Sequence, residues 1–167
     1  MLLRYNASHK AATMIQAQHI HPLIVHFPIV IICLMVALDW IATLLGVSVT
    51  GRNPAANASV GLAVLAGLSA LVAFHFGGVA LDFAEAGGFS SDVAEIHESL
   101  GITTATALAV WAAFRALFWF RDMRIGNPLA FLVPVVESAG LTLVIATAYY
   151  GGQLVYDLGV NVARVAG

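Results

Sequence analysis

HPLIVHFPIVIICLMVALDWIATLLGV, residues 21–47, decides the fold. A helix needs about 20 apolar residues to cross a bilayer, and Asp39 is the one carboxylate in this run. Three further apolar runs follow at 58–83, 101–120 and 128–150, the last continuing as helix toward Val155. The 167-residue chain is 60% hydrophobic and 10% charged, with a mean hydropathy of +0.92. Soluble domains carry about 25% charged residues, so this chain cannot cover its surface for water. The first run exceeds the roughly 7–15 apolar residues of a cleaved signal, which makes it a retained span behind Arg4 and Lys10. The sequence therefore predicts an all-α integral membrane protein, with an extramembrane segment at 1–18 and a single four-span domain at 19–167.

The connections set the topology. One is short and carries Gly, Asn and Pro (50–57), one is acidic (85–95) and one is basic and tight (121–127). Short connections make consecutive helices antiparallel neighbours, which gives an up-down four-helix bundle. Ser91 ahead of Asp92 and Glu95 resembles a helix N-cap with acids in the first turn, so the third helix starts outside the bilayer. Ala63, Gly67 and Ala70 suit close helix contact. No segment alternates as a strand does, and no internal repeat is visible. Four spans put both termini on the side of the acidic connection. Arg52, Arg121 and Arg124 lie opposite, with Arg115 placed to snorkel toward them, so the positive-inside rule puts the termini outside.

Several function classes lack their parts. A net charge of −2 with no basic patch gives no footprint for nucleic acid. Cys33 is the only cysteine, which excludes an internal disulfide, a CxxC motif and covalent c-type haem. There is no GxSxG, Walker loop or GxGxxG, and His97-Glu98 is not followed by the second histidine of HExxH.

What stands out instead is a polar constellation at one membrane face. His21 and His26 begin the first span, while His75 and Asp82 lie near the end of the second. His97 and Glu98 begin the third, and Gln153, Tyr156 and Asp157 end the fourth. His19 reads as an interfacial residue. His21 and His26 are five residues apart, about 140° round a regular helix, so they serve different partners. Each histidine has a plain alternative, as an interfacial residue or in an interhelical hydrogen bond. Four of them near one end favour a cofactor, and non-covalent b-type haem fits by elimination. It asks for one imidazole from each of two facing helices, plus apolar walls and small residues. His26 and His97 are the expected iron ligands, with His75 as alternative. His21 is assigned to the helix start or a propionate contact. Gly101 gives flat space one turn from His97, Tyr156 belongs to the same face, and Phe27, Phe74 and Phe76 are wall candidates. Two carboxylates fall elsewhere. Asp39 pairs with Arg52 or Arg115, and Glu137 is either a protonated, hydrogen-bonded carboxyl or a proton or quinone contact.

HPLIVHFPIV at 21–30, Leu38-Asp39-Trp40, His97 and GGQLVYDLGV at 151–160 together resemble the DUF2231 family of small bacterial membrane proteins. The resemblance spans residues 21–160. It implies a four-helix bacterial membrane module; the expected setting is the inner membrane, with the termini periplasmic by the arginine distribution. Some members are fused to c-type cytochrome or Rieske domains, which implies electron transfer near the outer face. His26 and His97 match recurring histidines of the family, whereas His75 does not. The expected function is a membrane electron-transfer subunit binding haem b and exchanging electrons with quinone or a periplasmic c-type cytochrome or Rieske-type partner. Such a subunit is an electron carrier or accessory more than a stand-alone catalyst. The competing expectation is a cofactor-free structural subunit of a larger membrane complex. A transporter using Glu137 and the histidines is a third, disfavoured by the lack of broken helix pairs.

Overall fold

The structure, a computed structural model, describes residues 20–126, 128–160 and 162. The described residues form four long helices and no strand, each helix apolar and long enough to cross a membrane. The first, α1 (Ile20–Leu44), is broken after one turn into Ile20–Ile24 and His26–Leu44. Pro28 accounts for the break: it offers no N–H to the Ile24 carbonyl, and its ring crowds that carbonyl.

The second, α2 (Pro54–Ala86), begins earlier than hydropathy suggests. Asn53 caps it, accepting a hydrogen bond from the Ala56 N–H at 3.0 Å, and Pro54 takes the first position, where its missing N–H is harmless. The third, α3 (Asp92–Phe120), starts as expected, with Ser91 accepting from the Val93 N–H and acids in the first turn. A 3-10 turn at Leu129–Phe131 leads into α4 (Leu132–Tyr156).

Each helix packs against its two neighbours in chain order, α4 closing back on α1, while the diagonal pairs make no close backbone approach among the described residues. That is the up-down bundle. The inward stripe of α2 consists of small residues at alternating steps of three and four: Ala56, Ser59, Ala63, Ala66, Ala70 and Ala73 are all buried. A 3.5-residue period keeps one seam turned toward the partners along the whole helix. At Gly67 the fit to α3 is so close that an added Cβ would lie 2.9 Å from the Ala112 Cβ. Larger side chains from the other helices fill the centre, where Ile32, Met35, Leu108 and Val144 are buried against the alanines. Leu34, Ile41, Leu65, Ile102 and Ile145 are exposed on the outside. Helices apolar all round, with backbone bonds satisfied internally, are what a hydrocarbon solvent selects.

The loop between α1 and α2 is tied to the end of α3. Arg52 donates from Nε to the Trp119 carbonyl at 3.1 Å and from Nη2 to the Phe120 carbonyl at 2.7 Å, and lies over the Trp119 ring. It thus satisfies carbonyls left open by the helix C-terminus, and is not the partner of Asp39.

Candidate functional site

At the end of the bundle holding the α2–α3 connection, the diagonal helices leave a cavity of about 450 Å³. Three histidines line it, and two of them, His21 on α1 and His97 on α3, bring their rings together. Their ring centres are 6.3 Å apart and the planes meet at 76°.

Both rings are seated by the same device. His21 Nδ1 lies 2.8 Å from the Ala73 carbonyl, and the residue one turn on is Gly77, where an added Cβ would lie 3.0 Å from the His21 ring. His97 Nδ1 lies 3.0 Å from the Thr147 carbonyl, and one turn on is Gly151, where a Cβ would lie 2.9 Å from the His97 ring. A carbonyl can only accept, so Nδ1 carries the proton in each ring and a neutral ring keeps its lone pair on Nε2. The glycine four residues along exposes the helix surface beside that carbonyl, and the ring lies against it. The α1–α2 and α3–α4 pairs therefore carry equivalent seats, although the sequence shows no repeat.

An imidazole whose Nδ1–H is held by a backbone carbonyl has its other nitrogen aimed and made more basic, the usual state of a metal-ligating histidine. With ring centres 6.3 Å apart, the two Nε2 atoms could ligate one metal ion held in the cavity. No group of three His, Cys, Asp or Glu placed to hold a metal occurs among the described residues. A metal at this pair would need further ligands from a cofactor. The cavity wall is mostly apolar, with Phe74, Gly78, Gly101 and Gly152 among its lining.

The other expected site residues fall at different places. His26 lines the cavity but is exposed, turned from His21 by the helix phase and by the break at Val25. His75 is exposed and lies outside the cavity, edge-on to the Phe76 ring. It sits two residues from both Ala73 and Gly77, which turns it about 200° from their inward face. Of the four histidines expected together, His21, His26 and His97 line the cavity, and His75 lies outside it. Gly101 lines the cavity, yet an added Cβ there meets only Phe74 at 3.6 Å. Tyr156 stands at the rim, 87% exposed. Of the three phenylalanines only Phe74 forms wall, and His19 lies outside the described residues.

A second polar region lies at the opposite end. Asp39, Ser59, Arg115 and Glu137 are each five residues from the helix end that faces the first and third connections. All four are at most 2% exposed. The expected snorkelling of Arg115 is corrected: its guanidinium stays inside because four oxygens meet it there. Nη1 donates to Asp39 Oδ2 at 2.9 Å and to Glu137 Oε1, and Nη2 donates to the Val49 carbonyl at 2.8 Å and to Ser59 Oγ. Ser59 in turn donates to Asp39 Oδ2 at 2.6 Å, and Trp111 Nε1 to Glu137 Oε1 at 3.1 Å. Glu137 is therefore a buried ion-pair partner outside the histidine cavity. Its distance from Arg115 along the sequence hid this, although both were visible as charges inside spans.

A family model described as "Predicted membrane protein (DUF2231)" matches residues 17–164, and the chain belongs to that family. No curated protein matches it, and no solved structure does.

Proposed function

We propose that this member of the DUF2231 family is a membrane electron-transfer subunit that holds b-type haem between His21 and His97. The observation that carries the reading is the matched pair of imidazoles. Each is fixed at Nδ1 by a carbonyl of the neighbouring helix, each keeps Nε2 for a ligand, and their centres are 6.3 Å apart across a cavity. His21 and His97 would hold the haem iron as its two protein ligands, which suits a site with two imidazoles and no third metal-binding side chain grouped with them among the described residues. Bound haem supplies one-electron chemistry. The residues of this chain supply ligation, orientation and an apolar wall that tunes the potential. His21 takes the place given to His26 by the sequence reading, and His97 keeps its own. Quinone, or a c-type cytochrome or Rieske-type protein, is the proposed electron partner, met at the face where the cavity opens.

The absorption spectrum of the purified protein, before and after dithionite, tests this. A low-spin Soret band with sharp α-bands on reduction is expected. A colourless preparation that stays colourless after incubation with haemin sinks the proposal.

Arginines 52, 121 and 124 support a cytoplasmic placement of the first and third connections in a bacterial inner membrane, with the cavity on the periplasmic side. Reporter fusions after Arg124 are expected to read cytoplasmic; a periplasmic reading there inverts the protein and removes the periplasmic partner.

A second reading rests on the same hydrogen bonds. His21 ties α1 to α2, and His97 ties α3 to α4, which suits a cofactor-free structural subunit. On that reading both histidine variants lose stability and the wild-type protein has no visible spectrum.

A further inference from the structure

The Arg115 region carries a charge excess that its hydrogen bonds leave unresolved. One guanidinium faces two carboxyl groups, a formal balance of −1 if both are ionised, at positions 0% and 1% exposed. An uncompensated charge in that setting costs several kcal/mol or more, and buried groups neutralise instead. Two oxygens also lack a donor: Asp39 Oδ1 and Glu137 Oε2 are buried and unpartnered. Their sister oxygens converge on the same atom, Arg115 Nη1, which holds the two carboxyl groups side by side.

We propose that Asp39 and Glu137 share one proton, forming with Arg115 a neutral proton-binding site inside the membrane. The proton lies between Asp39 Oδ1 and Glu137 Oε2. It supplies the donor that both orphaned oxygens lack, and it brings the balance to zero: one guanidinium, one carboxylate, one carboxylic acid. Two like charges on one donor cannot both ionise in a low dielectric, so one proton belongs to the pair and not to either residue. The donor sets are matched, since each carboxyl receives Arg115 and one neutral donor, Ser59 for Asp39 and Trp111 for Glu137. Among the described residues no other charge enters from the packed elements. α2 contributes Ser59, the α1–α2 loop the Val49 carbonyl, and Arg52 is held on the end of α3. The nearby Asp122–Arg124 pair is exposed.

Infrared spectroscopy of the membrane-reconstituted protein at neutral pH tests this. A carbonyl band of a protonated carboxyl is expected in the wild type, sensitive to D2O and absent from both Glu137→Gln and Asp39→Asn. Each single amide replaces the neutral carboxyl in shape and donates to its neighbour, so each is expected to unfold within a few degrees of wild type. The double variant leaves Arg115 without a counter-charge and is expected to lose most of its folded yield. Three results overturn the proposal: no protonated-carboxyl band in the wild type; a band surviving in both single variants; or neither single variant folding. A wild-type unfolding temperature that rises with sodium chloride but not with choline chloride, with no such band, would assign the missing positive charge to a bound cation instead.

Discussion

At the end of the bundle that bears the first and third connections, Arg115 places its guanidinium on four oxygens, and Ser59 and Trp111 donate to the same two carboxyl groups. At the other end His21 and His97 each commit one ring nitrogen to a backbone carbonyl and keep the second for the cavity. Between them lies an apolar layer of Ile32, Met35, Leu108 and Val144. The two regions are made from similar materials, ionisable side chains inside spans, and differ in what is left over. The arginine end encloses its polar groups and joins all four helices. The histidine end joins them only in pairs and leaves a space. Polar clusters that turn their donors and acceptors on one another hold a structure together; ligand sites keep valences open.

The contrast breaks most visibly at Arg115. Replacing it by methionine keeps volume and removes the centre of the cluster, and breaking a buried ion pair costs about 3–5 kcal/mol. Arg115→Met should therefore abolish most folded, monodisperse protein in detergent, read by size-exclusion chromatography and thermal unfolding. Wild-type behaviour would mean the cluster does not hold that end.

The histidines should act on the ligand more than on the fold. Interhelical hydrogen bonds in membranes contribute about 0.6–2 kcal/mol each, so His21→Ala and His97→Ala should still fold. Each should lose haem, with retention down at least tenfold in the reduced spectrum. His26→Ala and His75→Ala should keep it within about twofold, because both side chains are exposed and the paired rings are those of His21 and His97. Loss of haem in His26→Ala with retention in His21→Ala would return the axial position to His26.

The smallest effect separates two glycines that the sequence treats alike. A methyl group at Gly151 meets the His97 ring at 2.9 Å and must displace it, whereas at Gly101 it meets Phe74 at an ordinary 3.6 Å. Gly151→Ala should shift the α-band or lower haem retention severalfold, and Gly101→Ala should change neither. Equal spectra for both would show that the seat under His97 tolerates a side chain.

The span count, the Ser91 cap and the lipid-facing exterior are legible in the sequence because they depend on local pattern and on total apolar content. The start of α2 was equally local, in Asn53-Pro54, but hydropathy placed it four residues late. Helix phase explains the histidines. His75 has the right depth and the wrong face, and on the helix broken ahead of Pro28 it is the His21 ring that meets His97, while His26 lines the same cavity with its side chain exposed.

By itself, then, the sequence determined four antiparallel membrane helices with histidines and small residues toward one face, because burial of apolar side chains in lipid needs no knowledge of partners. Tertiary structure alone decided which charges meet. Arg115 and Glu137 lie on different helices from Asp39 and Ser59, and their convergence depends on four helix rotations at once. The same holds for the imidazole pair, whose 6.3 Å separation is set by two glycine seats on helices that carry neither histidine. Contacts between side chains far apart in the chain are a product of packing phase, and no single segment carries that information.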